Sequence, residues 1–153
     1  MSRRVAAAGY EVHGFDIVPG RVESLRSAGG QGAASVAAMA SICDVILLSL
    51  PTERSLELAT NELVDGVRAG TVVAEMGTFS VESKHLARRR LAAVGAELMD
   101  VPVSGTGLQA EDGTLVVMAS GSPLAFERAR GVFDAVGRVT HYVGDFPNGS
   151  LMK

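Results

Sequence analysis

Short apolar runs alternate with amphipathic stretches along this chain, and Gly or Pro separates them. That alternation marks repeated strand and helix units around a mainly parallel sheet, so the expected class is α/β. Strands are predicted at Glu11 to Phe15, Asp44 to Leu50, Thr71 to Glu75, Glu97 to Asp100, Leu115 to Ala119 and Val139 to Val143. Helices are predicted at Arg21 to Ala28 before Gly29 and Gly30, and at Ser35 to Ala40 with Ser35 as its cap. Three more are predicted at Glu53 to Val67, at Val81 to Val94 behind a Ser80 cap, and at Pro123 to Val136 with proline in the first turn.

The two ends interrupt the pattern. Met1 to Ala8 has the composition of a helix interior and closes at Gly9, yet no cap or strand precedes it. The chain is expected to start inside a helix. At the other end Asn148, Gly149 and Ser150 are good helix starters, and Lys153 follows three residues later as the last residue, so a second helix is expected to be cut short.

Composition narrows the possibilities. With 153 residues, 47% hydrophobic and 20% charged, the chain has enough apolar material for one packed core. A net charge of -3 provides no basic field for a polyanion, and 5% aromatic residues leave few stacking platforms, so nucleic acid is not an expected partner. No apolar run approaches bilayer length; Val45 to Leu48 is strand-sized, and the apolar stretch after Arg3 and Arg4 is too short for an export signal. No membrane partner is expected. The single Cys43 reads as a small buried hydrophobe, which fits a reducing, cytoplasmic setting. His13, His85 and His141 lie on separate predicted elements without metal-ligand spacing, so no metal is implied.

Two places could carry chemistry. Asp100-Val101-Pro102-Val103-Ser104-Gly105-Thr106-Gly107 breaks off a strand with a proline, two glycines and a hydroxyl; it suits either a ligand or a tight connection. Asp16 follows a strand as the ribose-binding acid of a dinucleotide fold does, although a solvated aspartate opening a turn before Pro19 and Gly20 explains it equally well. The glycine-rich fingerprint that should lie about 20 residues before such an acid would fall upstream of Met1. Gly105 to Ala110 spells G-x-G-x-x-A after a strand, but a turn at Glu111, Asp112 and Gly113 is expected where the long helix of a phosphate loop should run.

Taken in order, these segments resemble the β-hydroxyacid dehydrogenases, which include 3-hydroxyisobutyrate dehydrogenase, tartronate semialdehyde reductase and the cofactor domain of 6-phosphogluconate dehydrogenase. Gly9 and Tyr10 leading to Val12 and Asp16 are similar to the family's second strand. Leu50-Pro51 and Met76-Gly77-Thr78-Phe79-Ser80 are similar to its cofactor loops, Asp100 to Gly105 to its substrate loop, and Gly149 with Lys153 to the approach to its catalytic lysine.

The resemblance implies a Rossmann-like, doubly wound, mainly parallel sheet lacking its first strand and glycine-rich loop. Residues 1–147 would be a partial dinucleotide-binding domain, and 148–153 the start of an interdomain helix leading to an all-helical domain. It implies Lys153 as general acid and base; Ser104, Gly105 and Thr106 as binders of the substrate carboxylate; and Asp16, Leu50, Pro51 and Thr78 as cofactor contacts. The reaction would move hydride between a nicotinamide cofactor and a small hydroxyacid, in a protein that forms a homo-oligomer at full length. Asp16 favours NAD over NADP, since it would accept from a ribose diol and repel a 2′-phosphate, with Arg21 expected to face solvent.

Departures from the family pattern bear on activity: the glycine loop and the all-helical domain that should follow Lys153 are absent, so this chain alone is expected to be inactive. Thr106 stands where a second glycine is common, narrowing the substrate loop, and Gly77 replaces a frequent serine. Without its first strand the sheet would present two unpaired inner edges, so the chain is expected to be poorly soluble or partly folded. A noncatalytic dinucleotide-binding module is the main alternative reading. A serine hydrolase built on Ser104 and His141 lacks the G-x-S-x-G spacing of a nucleophile elbow.

Overall fold

The structure, a computed structural model, describes residues 1–153. Its strands form three ladders. In the first, β1 (His13–Gly14) pairs in parallel with β2 (Gln31–Gly32) through helix α2 (Pro19–Ser27). In the second, β3 (Val45–Leu48), β4 (Val72–Glu75) and β5 (Glu97–Asp100) run parallel in that order, joined by α4 (Glu53–Val64) and α5 (Val81–Ala92). In the third, β7 (Leu115–Ala119) lies between antiparallel β6 (Val103–Ser104) and parallel β8 (Gly137–Tyr142). Asp100 and Ser120 exchange backbone hydrogen bonds of 3.0 and 2.8 Å, which stitches the second ladder to the third.

The central strands read as unbroken apolar runs because both their faces are covered. Val72 and Ala74 of β4 face one core with Met99, Val101 and Phe133, while Val73 faces the other with Leu56, Leu63 and Leu91. Helix α7 (Pro123–Val136) closes the first core with Ala125, Phe126, Ala129, Val132, Phe133 and Val136, a stripe at helical spacing. Helices α4 and α5 close the second. Each of the three has a serine or threonine cap: Thr52, Ser80 and Ser122 accept from the third backbone amide of their helices.

Several boundaries differ from the sequence reading. Helix α2 begins at Pro19 rather than Arg21, since proline is preorganised for a first turn. Two strands of two residues each, β2 and β6, are too short to show periodicity and are not predictable from pattern; the chain resumes pairing at Val103 immediately after Pro102. The turn expected at Glu111 to Gly113 is the end of helix α6 (Gly107–Asp112). Thr106 and Gln109 form a reciprocal capping box that nucleates it, and Gly113 ends it in the left-handed region at φ 70°. At six residues α6 is still no phosphate-loop helix. Helix α1 (Ser2–Ala7) and α8 (Asn148–Met152) occupy the ends, and α3 (Val36–Ala40) precedes β3. No helix is long and apolar enough to cross a membrane. Cys43 is half-buried against the second core, and burial pushes its thiol up.

Candidate active site

The parallel strands β3, β4 and β5 end in register, with Leu48 beside Glu75 and Glu75 beside Asp100. Loops leaving the carboxyl ends of parallel strands form the binding crevice of open α/β sheets. Here they are Leu50-Pro51 after β3, Met76 to Ser80 after β4, and Val101 to Gly105 after β5. Glu53 ties the first two together: its carboxylate accepts from Ser80 N at 2.7 Å and from Ser83 Oγ at 2.8 Å. These bonds hold the Glu53 carboxyl below the usual carboxylate range.

Lys153 completes the crevice from the far end of the sequence. Its Nζ donates to Thr78 Oγ1 at 2.9 Å and to the Val103 carbonyl at 2.8 Å, one peptide from Ser104. The expected lysine, the expected cofactor threonine and the substrate loop therefore meet at one exposed point. Ser104 and Gly105 are exposed beside it. Thr106 differs from its expected use, because its N–H donates to Gln109 Oε1 at 2.9 Å and its hydroxyl accepts from Gln109 N at 3.3 Å. It caps α6 rather than narrowing the loop.

Asp16 lies beyond β1 with both oxygens engaged: Oδ1 accepts from Val18 N at 2.8 Å and Oδ2 from Arg21 at 3.2 Å. Arg21 faces solvent as expected, with a 69% exposed side chain, and from there also pairs with Asp16. Arg21 is mostly exposed and the Asp16 carboxylate partly so, a pairing of the kind that contributes about 0–1 kcal/mol, so a ligand hydroxyl can compete with it.

Beneath the crevice lies a charge cluster that the motif reading missed. Neighbouring carboxylates Glu75 and Asp100 share the ammonium of Lys84, and all three side chains are fully buried. Lys84 Nζ donates to Asp100 Oδ1 at 2.6 Å and to the Gly77 carbonyl at 2.8 Å. It also sits 2.6 Å from Glu75 Oε2, but off the direction of a hydrogen bond, and that oxygen has no other partner. Glu75 Oε1 accepts from Gly77 N at 2.6 Å. Burial pushes the Glu75 carboxyl up, with Lys84 and the Gly77 amide pulling the other way. Removing one partner from such a buried pair typically costs about 3–5 kcal/mol. A signal was present in the sequence: Lys84 occupies the apolar stripe of α5 together with Ala87 and Leu91.

Gly77 also has a local reason. A Cβ there would stand 2.6 Å from the Phe79 ring and 2.7 Å from Glu75 Oε1, so a larger residue would have to push one of these side chains aside while its amide folds onto Glu75.

The family model described as the NAD binding domain of 6-phosphogluconate dehydrogenase matches residues 1–144. This chain belongs to that family. It is 30% identical to a 2-(hydroxymethyl)glutarate dehydrogenase of Eubacterium barkeri, over 100% of this chain and 52% of that protein. It is 31% identical to a 3-hydroxyisobutyrate dehydrogenase of Pseudomonas aeruginosa, with the same coverage of both. A solved Mycobacterium tuberculosis 3-hydroxyisobutyrate dehydrogenase with L-serine has the same fold, with a TM-score of 0.94 at 24% identity, across 99% of this chain and 52% of that one. The chain spans about half the length of the curated relatives it matches. It is a nicotinamide-dinucleotide-binding domain of the β-hydroxyacid dehydrogenase type, with a Rossmann-like, mainly parallel α/β fold.

The residues of this NAD-binding domain fit the ribose and nicotinamide ends of such a cofactor. Asp16 offers a carboxylate for a diol, the Leu50-Pro51 turn and the Met76 to Ser80 loop line the strand ends, and Thr78 offers a hydroxyl.

Proposed function

We propose that this chain supplies the cofactor site and the proton-transferring lysine of an NAD-dependent dehydrogenase acting on a small β-hydroxyacid of the 3-hydroxyisobutyrate kind. The observation that carries this reading is the placement of Lys153 Nζ between Thr78 Oγ1 and the Val103 carbonyl, next to Ser104. Bound NAD would supply an acceptor for hydride, which no side chain here can do. Lys153 would take the proton of the substrate hydroxyl during oxidation and return it during reduction, a role that suits an amine held among neutral acceptors. The Ser104 hydroxyl and the Gly105 amide would bind the substrate carboxylate, joined by the Thr106 amide when Gln109 rotates away. Asp16 would bind the adenosine ribose, with Leu50, Pro51 and Thr78 contacting the cofactor further along.

The relatives named for hydroxyacid dehydrogenation support the reaction class, and the acid at Asp16 supports NAD over NADP. The test is a calorimetric titration with NAD and with NADP, followed by turnover assays of a full-length protein containing this domain with a panel of short hydroxyacids. Tighter binding of NADP would overturn the cofactor assignment. Binding of NAD with no turnover on any hydroxyacid would favour a noncatalytic module.

A further inference from the structure

Nothing in the proposed proton transfer uses the buried cluster, yet it is built into the path between the two groups that meet at the surface. Lys84 is among the largest fully buried side chains in the protein. On one side its ammonium holds the carbonyl of Gly77, the residue before Thr78. On the other it holds Asp100 Oδ1, which also accepts from Ser150 Oγ at 2.7 Å, while Oδ2 accepts from Ser150 N at 2.7 Å. Ser120 Oγ lies 3.2 Å from Asp100 Oδ2 and accepts from Gly149 N at 3.0 Å. The first turn of α8 is thereby fastened to Asp100, and Lys153 directly follows the last residue of α8. Helix α5 grips the approach to α8 as well, since His85 packs edge-on against Phe146 at 5.1 Å and Arg88 lies over the same ring at 4.7 Å.

We propose that Lys84, through Asp100, is a positioning residue for Lys153, fixing the Thr78 loop and the start of α8 in one register so that the terminal amine meets the Thr78 hydroxyl. This rests on the reading of Lys153 as the proton-transferring group. A methionine would fill the same space but would orient neither the Gly77 carbonyl nor the Asp100 carboxylate. Directionality is what an ion pair adds over a packed apolar side chain. The linkage is short: one side chain from the Thr78 loop to Asp100, and one more hydrogen bond to Ser150.

The test is nuclear magnetic resonance on the full 153-residue chain without cofactor or substrate, reading the through-space cross-peak between the Lys153 ε-methylene and the Thr78 methyl. Three chains are compared: wild type, Ser150→Ala, and the doubly neutral Lys84→Met/Asp100→Asn. Wild type should give the cross-peak. The double variant should lose it, with the Lys153 ε signal moving to that of a free lysine, while Ser150→Ala should weaken it in a chain that still melts cooperatively. The Ser150 amide should exchange with solvent at least about tenfold faster in the double variant. An unchanged cross-peak in a folded double variant would overturn the proposal; if that variant does not fold, an unchanged cross-peak in Ser150→Ala does so. Because no turnover is read, this result is independent of whether Lys153 transfers a proton, which the hydroxyacid assays decide.

Discussion

Lys153 and Thr78 stand 75 positions apart in sequence and meet through a 2.9 Å hydrogen bond from amine to hydroxyl. The two contacts have separable consequences. Lys153→Ala should lower hydroxyacid oxidation by roughly 10²- to 10⁴-fold, the usual worth of a positioned acid and base, with NAD affinity little changed. Thr78→Ala should instead weaken NAD by up to about tenfold, the worth of one hydrogen bond, and Thr78→Ser should restore it. Steady-state kinetics with both substrates varied separates the effects. Equal loss of NAD affinity in both variants would contradict the assigned roles.

On the proposed reading, cofactor choice depends on Asp16, which pairs with Arg21. Asp16→Ser should weaken NAD by about 10- to 100-fold, as expected for a hydrogen bond to a charged group, and should narrow the discrimination against NADP. Arg21→Ala frees Asp16 Oδ2 and should leave NAD affinity unchanged or slightly higher. Calorimetric titration of each variant with both cofactors reads the ratio. A drop in NAD affinity in Arg21→Ala would show that the arginine, rather than the acid, holds the ligand.

Burial raises the Glu75 carboxyl above its ordinary value. A carboxyl whose folded pKa exceeds its unfolded one binds its proton more tightly in the native state. Its contribution to stability is therefore full below the unfolded value, near 4.5, and is lost as pH rises through the folded value. Glu75→Gln removes this proton linkage whatever its absolute cost. The difference in melting temperature between wild type and Glu75→Gln should therefore shift against wild type as pH rises from about 4 toward neutrality. Glu53, held in the opposite direction, acts only as pH falls below 4.5 and is common to both proteins. A difference that stays flat across that range would contradict the raised Glu75 carboxyl.

Much of this architecture was legible because the central strands are buried on both faces and the long helices carry serine or threonine caps. Those features act within a few residues, so β3, β4, β5 and α7 fall where the apolar runs place them. The capping box that starts α6 is equally local, but its Thr106 sits between Gly105 and Gly107, which read as a turn. The site divides along the same line. Thr78 and Lys153 were recognisable from their motifs, whereas the Lys84 cluster depends on the register that sets Glu75 beside Asp100 and on α5 crossing above them. No single segment contains that information. Arg21 likewise shows its pairing with Asp16 only once the turn between them closes.

Gly149 and Gly20 both sit in helices, and simple propensity favours alanine at each by about 0.5–1 kcal/mol. Their surroundings send the two substitutions in opposite directions. A Cβ at Gly20 meets nothing within 4 Å, so Gly20→Ala should stabilise by about 0.4–1 kcal/mol. At Gly149 the same atom would stand 2.6 Å from the Met118 carbonyl oxygen, 2.8 Å from Pro102 Cδ and 3.0 Å from the Asp100 carbonyl oxygen. Two of these are backbone atoms of the sheet and cannot rotate aside, so an overpacking cost of about 1–3 kcal/mol outweighs the gain in propensity. The strain has one inexpensive outlet, which is for α8 to lift away from Asp100. Gly149→Ala should therefore lower the melting temperature and also break the contact between Lys153 and Thr78, whereas Gly20→Ala should raise the melting temperature and leave that contact intact. Thermal melts together with the Lys153–Thr78 cross-peak decide it, and a Gly149→Ala chain as stable as wild type with the contact preserved would show that α8 is not held at this close approach.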